Sequence, residues 1–415
     1  MLYIFLISLA VLALLSIIFE EVTHLNKTKT TLFFGCISWV VLFMSAGSPG
    51  QEKLIEAELN ENLLEIATLW LFLMSTMTFV AYLNAKGMIQ ILVQKLFPQK
   101  VSVRMLMILV ALFSLVLSAI CDNVTATLVS LGLLTTFKLD TQMRRRMAVL
   151  IIFAVNSGGV SLITGDVTTL MIFLEGHVQM SELLILFIPA AVSVILLAVL
   201  FSLKAEGHVS NTPIQRDYHK VDVVIAIIFF CTIIATMVLN ILYGIPPVLT
   251  FLTGLSILFL VGHVSRSNKE EMQILEYIRQ VEFDTLLFFL GILLLVGMLK
   301  EIGTLDLLTQ VYSMYDPNIS NFVTGIGSSI LDNVPLTAAL LKADPVLSTP
   351  EWLGLTYSVG VGGSLLVIGS ASGIIAMSKV KELTFVSYLR YVPALLLCYS
   401  LGYGLTLLLA NHFYG

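Results

Sequence analysis

Two segments of this chain nearly repeat each other 210 positions apart: SAICDNVTATL at 118–128 and SSILDNVPLTA at 328–338. Each sets an Asp-Asn pair, Asp122-Asn123 and Asp332-Asn333, in the middle of apolar sequence. An ionisable side chain inside hydrocarbon is costly, and it is retained where it faces a polar interior or a transported ion. Two such pairs at corresponding places do not fit a plain bundle of spanning helices. They point to a carrier whose ion site lies between two repeats.

The surroundings are those of a membrane protein. The chain is 58% hydrophobic and 12% charged, with a mean hydropathy of +0.97. Apolar runs of about 17–25 residues recur, the length that crosses ~30 Å of hydrocarbon. They fall at roughly 2–19, 30–47, 62–83, 147–175, 182–203, 222–243, 247–263, 282–300, 352–378 and 388–410. The first lacks a basic start and a small-residue cleavage site, so it reads as a retained span rather than a signal peptide. Cys36, Cys121, Cys231 and Cys398 lie within apolar runs without metal-ligand spacing, which argues against a disulfide framework. The six histidines lie mostly in loops or at helix ends, which disfavours haem. No cofactor is expected and no nucleic acid partner. The absence of a GxxxxGK[ST] loop argues against ATP-driven pumping by this chain alone.

Residues 103–136 and 319–342 do not read as simple spans. Each holds two short apolar arms meeting at the Asp-Asn pair, which suits a re-entrant hairpin. The distribution of cations tests this. With both hairpins re-entrant, one face receives 19 Lys and Arg, and the other only Lys53, Lys300 and Lys342, accounting for all 22. By the positive-inside rule the first face is cytoplasmic, and both chain ends lie outside. Treating one hairpin as a full crossing inverts everything after it and spoils the asymmetry. The expected architecture is therefore an all-α polytopic membrane protein of about ten spanning helices, two re-entrant hairpins and two broken helices. Residues 1–205 form one repeat and 222–415 an inverted second, joined by a cytoplasmic linker at 206–221.

The broken helices follow the hairpins. The first reads NSGGVSLITGDVTT from Asn156, with Gly158, Gly159 and Gly165; the second reads GVGGSLLVIGSASG from Gly360, with Gly362, Gly363 and Gly369. Gly159 pairs with Gly363 and Gly165 with Gly369, both 204 apart, which sets Asp166 opposite Ser370. Glycines and hydroxyls at such depth let a helix unwind and turn carbonyls toward a cavity, although small residues also serve close packing. Freed carbonyls, Ser and Thr hydroxyls and carboxylates are hard oxygen donors that suit alkali cations.

Asp122, Asp166 and Asp332 are the acidic residues that fall deep inside apolar elements. Glu52, Glu56, Glu58, Glu61 and the Lys269-Glu270-Glu271 run are expected in loops, and Glu65 and Asp284 at interfacial span ends. No Lys or Arg stands close in sequence to offset the three aspartates, so each needs a cation, a proton or a neighbouring amide or hydroxyl. Burial favours a neutral carboxyl and a bound cation favours the charged one, so proton and cation exclude each other at such a site. That exclusion is the physical basis of cation/proton antiport. Asn123 and Asn333 offer amide oxygens or hold the hairpin tips. Thr125 and Pro335 occupy matching places, and Thr337 adds a hydroxyl.

Asp122-Asn123-Val-Thr125, the Thr164–Thr169 segment and the Leu331–Leu336 segment resemble the signature segments of NhaD-type sodium/proton antiporters. Those belong to the ion transporter superfamily, which also contains arsenite-pump subunits and dicarboxylate carriers. The resemblance spans both halves and implies an inverted-repeat fold, a homodimer in a bacterial inner membrane, and exchange of Na⁺ or Li⁺ for H⁺. It implies Asp122, Asn123, Asp166, Thr168, Asp332, Asn333, Ser370 and Ser372 as site positions, with Na⁺ held by the two Asp-Asn pairs and Asp166. It also suggests an elevator movement of residues 103–175 and 319–378 against the other helices. Relatives that carry carboxylates tend to have Ser-Asn-Thr at the hairpin tips. Asp in both copies here favours a cation. The competing readings are a Na⁺- or H⁺-coupled carrier of a small anion or arsenite and, more remotely, an intramembrane aspartyl protease. The latter needs a close carboxyl dyad, and Thr164-Gly165-Asp166 does not complete its GxGD signature.

Overall fold

A computed structural model describes residues 2–18, 26–88, 100–203, 205–210, 220–264 and 281–415, with residues 91, 95, 97–98 and 277–279 between them. The run Lys269-Glu270-Glu271 lies outside the described residues. The protein is an all-α polytopic membrane protein, and six of its described helices are long and apolar enough to span a membrane.

The chain opens with α1 (Leu2–Ile18), α2 (Lys27–Met44) and α3 (Pro49–Ala85). The last begins well before the apolar run. Ser48 caps it, accepting from the Gln51 N–H, and Pro49 sits in its first turn. Its early glutamates are good helix formers, so Glu52, Glu56, Glu58 and Glu61 lie on a helix rather than in a loop. The same helix carries Glu65.

The first hairpin comprises α4 (Val103–Ile120) and α5 (Asn123–Thr135). Phe97, just before it, packs on both Phe113 and Phe137 at ring distances of 5.7 and 6.4 Å, so the second arm returns to the base of the first. A broken helix follows, α6 (Thr141–Gly159) and α7 (Val167–Leu174), then a span α8 (Met180–Ser202). The strands β1 (Lys100–Ser102) and β2 (His208–Ser210) pair antiparallel, a ribbon that hydropathy did not foretell.

The second half runs α9 (Lys220–Tyr243), α10 (Pro247–Val264), α11 (Phe283–Glu301) and a short amphipathic α12 (Asp306–Met314). Its hairpin is α13 (Pro317–Leu331) and α14 (Asn333–Ala343), its broken helix α15 (Thr349–Gly362) and α16 (Ala371–Lys379), and it ends with α17 (Phe385–Leu389) and α18 (Val392–Tyr414). α12 joins both hairpin arms: Tyr312 donates to Asn321 Oδ1 at 2.9 Å, and Thr309 to the Ala343 carbonyl at 2.9 Å.

The helices pack as two groups that meet where α14 lies against α11. In the first, α2 lies along α11 with Gly35 against Gly291, and α11 carbonyls accept from Trp39, Asn62 and Trp70. Phe72–Phe251 and Phe79–Phe229 contacts add α10 and α9 through α3. The second body holds both hairpins, both broken helices, α8 and α18. Its halves are interleaved: α5 packs on α16, and α14 on α7, so each hairpin's second arm rests on the other half's broken helix. One buried carboxylate was not anticipated. Asp222, at the start of α9, is 2% exposed and accepts from Tyr82 at 2.7 Å.

Candidate functional site

Glycine close contacts place the hairpin tips. A Cβ on Gly158 would collide with the Leu115 carbonyl of α4, and one on Gly362 with the Gly325 carbonyl of α13. Leu115 and Gly325 are 210 positions apart, the offset of the tips themselves. Gly165 and Gly369 likewise lie against the Ser118 and Ser329 backbones. Gly159 sits beneath Asn123 and Asp166, and Gly363 beneath Asn333 and Ser370. Each break is thus held against its own hairpin, and Thr164 fastens the first by donating to the Ala119 carbonyl at 2.8 Å.

All four corresponding carboxyl or hydroxyl positions stand at helix starts. Asp122, Asp166 and Ser370 are N-caps, and Asp332 lies between α13 and α14. Asp122 accepts from the Thr125 N–H and hydroxyl, both at 2.9 Å. Asp332 cannot do the same, because the third residue on is Pro335, with neither N–H nor hydroxyl. It makes no capping bond and stands at φ +70°, a conformation costing an L residue about 1–3 kcal/mol. Its carboxylate turns instead to Lys27, whose ammonium is 3.2 Å from Oδ2 and 4.7 Å from the Phe288 ring centre.

Bonds between halves complete the site. Asn333 donates to Asp166 Oδ2 at 3.3 Å, and Asn156 donates to Ser370 Oγ at 3.2 Å and Ser372 Oγ at 3.1 Å. Ser118 donates to Asn123 Oδ1 at 2.7 Å, and the Thr168 N–H to Asp166 Oδ1 at 3.2 Å. Asn156 Oδ1, Ser157 Oγ and Thr168 Oγ1 are buried oxygens without a protein partner.

A cavity of about 300 Å³ receives Asp122, Asn123, Asp166, Asp332, Asn333 and Ser370, together with Lys27. Asp166 and Asp332 on its walls are buried, while Glu282 and Asp284, which also line it, are exposed. Asp284, expected only at an interface, therefore faces the same space as the deep aspartates. Thr125 and Thr168 serve their neighbouring aspartates, and Ser372 accepts from Asn156. Thr337 is not brought into the cavity; its hydroxyl donates to the Asn333 carbonyl at 2.7 Å, as Thr127 does to Asn123.

Asn156, Lys27 and Glu282 were missed. Asn156 stood in the quoted break, but its reach across to Ser370 depends on how the halves interleave. Lys27 stands 305 positions from its partner and carries no local signal. No cation stands near the aspartates along the sequence, but Lys27 reaches Asp332 in space. Among the described residues, no three His, Cys, Asp or Glu side chains converge to cage a metal ion. A cation here would draw on amide, hydroxyl and carbonyl oxygens beside single carboxylates. The lining charge is largely negative, which concentrates cations.

Residues 1–360 match the family described as citrate transporter, CitMHS. A Na(+)/H(+) antiporter NhaD of Alkalimonas amylolytica is 30% identical over 423 residues, covering 95% of this chain and 88% of that protein. The protein of the same name from Vibrio parahaemolyticus is 29% identical over 410 residues, 91% of this chain and 98% of the relative. Sodium/proton antiporter 2 of Arabidopsis thaliana is 28% identical over 394 residues, 91% and 92% of the two chains.

Proposed function

The chain belongs to the citrate transporter (CitMHS) family, and on that premise we propose that it exchanges Na⁺ or Li⁺ for H⁺ across a bacterial inner membrane, extruding sodium. The observation that carries this is one cavity onto which both Asp-Asn tips and Asp166 open. Its carboxylates, amides and hydroxyls are the donors of a hard monovalent cation. Relatives covering nearly the whole chain are named as such antiporters, which supports the reading.

In the arrangement proposed, residues 1–205 and 222–415 are inverted repeats, the linker at 206–221 and the Arg144-Arg145-Arg146 end are cytoplasmic, and both termini are outside. The cavity mouth at Lys27, Glu282 and Asp284 then faces the cytoplasm, where sodium is collected. On the opposite side Lys342 of α14 meets Glu65 of α3, with Glu175 4.0 Å away, which supports a closed outer face. A site reachable from one side at a time is what exchange requires. Sodium enters among the Asp122, Asp166 and Asp332 tips. A proton and sodium cannot hold one carboxylate together, so the return of a proton from outside releases the cation there. The bundle of hairpins and broken helices moves against the α2–α11 body, and its packing adds α8 and α18 to the moving part. A homodimer formed through the other body fits this motion.

The test is Na⁺- or Li⁺-driven proton flux in liposomes holding the purified protein, read by a pH dye at neutral and alkaline pH. Flux that vanishes in Asp166→Asn with the protein still inserted supports the site. No flux with any alkali cation removes the reading. A carboxylate-anion carrier is a second reading, favoured by the family's description and by an ammonium lining the cavity. Citrate uptake with no cation-driven proton flux would establish it instead.

A further inference from the structure

Lys27 joins the two bodies at the site. It is the first residue of α2, whose start is fixed by Asn26 accepting from the Thr28 and Lys29 N–H groups. Its helix is bound along α11 by the Gly35–Gly291 contact and by Thr28 donating to the Asp284 carbonyl at 3.0 Å. Asp332 belongs to the other body, at the tip where α13 meets α14. The pair at 3.2 Å therefore crosses the boundary along which the bundle would slide. Both partners are largely withdrawn from solvent, with side-chain exposures of 20% for Lys27 and 8% for Asp332. Separating them without replacement leaves a charge in a poorly solvated place.

We propose that Lys27 is the coupling residue of the exchange: its ammonium clamps the cargo-free bundle to the fixed body and is displaced from Asp332 when cargo occupies the tip. This rests on the antiport reading and goes beyond it. An antiporter wastes its gradient whenever the empty carrier crosses, so empty crossing needs a barrier that loaded crossing lacks. A tethered ammonium supplies one. It is attracted to the bare carboxylate, and it has less to hold once a cation shares the same oxygen. Lys27 acts as a positioning residue, restraining movement without carrying cargo itself. The geometry also gives the barrier a direction. The pair is made with the cavity open at the Lys27 end, so it holds the empty bundle where sodium is collected.

The experiment uses the full chain in liposomes loaded with labelled sodium at equal pH on both sides. Two fluxes are compared: efflux into sodium-free medium, after which the carrier returns either with a proton or empty, and efflux into sodium-containing medium, after which it also returns with sodium. Wild type shows the second far above the first. In Lys27→Gln the exchange flux continues while efflux into sodium-free medium rises about ten-fold, the factor expected if one state loses a modest electrostatic preference. Fewer protons are then moved per sodium. Lys27→Arg keeps the charge and restores the wild-type ratio. Unchanged coupling in Lys27→Gln overturns the proposal. If that variant does not accumulate, wild type decides. Reactivity of Lys27 toward a small amine reagent, read by mass spectrometry, rises with saturating sodium if the ammonium is displaced. A reactivity indifferent to sodium overturns the clamp. Wild-type liposomes with no sodium-linked proton flux would instead remove the antiport reading itself.

Discussion

The two hairpins start from nearly the same words and end in different electrostatic situations. At the first tip Asp122 is satisfied by its own turn, accepting twice from Thr125. At the second, Pro335 removes both donors, and Asp332 reaches across a body boundary to Lys27. The feet of the hairpins repeat the contrast. Arg144, following the first hairpin, pairs with Glu382 beyond α16 at 3.2 Å, whereas Asp344, following the second, faces His177 beyond α7 at 3.7 Å. The backbone plan is shared and the charges are redistributed. One hairpin is closed on itself, and the other is held from outside.

Substituting the tips tests this most severely. Asp332→Asn should lower exchange by about 100-fold or more, while Asp122→Asn, still a good cap, should lower it by about ten-fold. Equal losses in reconstituted flux would erase the distinction between tips. Gly158→Ala and Gly362→Ala probe the shared plan, since each forces a methyl into a hairpin carbonyl. Both should destabilise by a similar amount, about 1–3 kcal/mol, seen as matched falls in the unfolding temperature in detergent. A large disparity would show that the halves are not packed alike. Pro335→Thr sharpens the comparison in the other direction. It returns a hydroxyl and an N–H to Asp332, so stability should rise by ~1 kcal/mol while flux falls several-fold; no change in either would mean the proline does not set the tip.

The smallest effect is expected at the feet. Burial against Trp352, on which His177 stacks at 3.8 Å, pulls its imidazole below the ordinary 6.5, with Asp344 opposing. The unfolded chain thus takes up this proton first as pH falls. The stability it contributes is present above about pH 6.5 and lost below it. His177→Gln should flatten that acid-side loss in unfolding measurements and leave alkaline flux alone, whereas Arg144→Gln should show no such pH step.

What could be read along the chain was whatever carried a local contradiction. Asp-Asn in apolar sequence, and paired glycines beside hydroxyls, contradict a spanning helix where they stand, and helices do stop there, between residues 120 and 123, 159 and 167, 331 and 333, and 362 and 371. The acidic start of α3 carried no contradiction, and a hydropathy reading ends where apolarity ends, so that helical extension passed for a loop. Lys27, Asn156 and Asp222 are informative only through partners on other elements. Lys27 in particular looks like one more cation near a helix end until α2 and α13 are placed together. Thr337 is a hydroxyl at the right spacing whose bond to the Asn333 carbonyl lies inside its own helix.

The ribbon of residues 100–102 and 208–210 has a mechanical meaning. Its ladder moors the strand leading into the first hairpin to the segment leaving α8, so everything between forms a closed ring of about a hundred residues whose ends cannot drift apart. The second half shows no such mooring among the described residues. A force that displaces the bundle is therefore taken up unequally: the first hairpin travels with its ring, and the bending falls on the connections around the second.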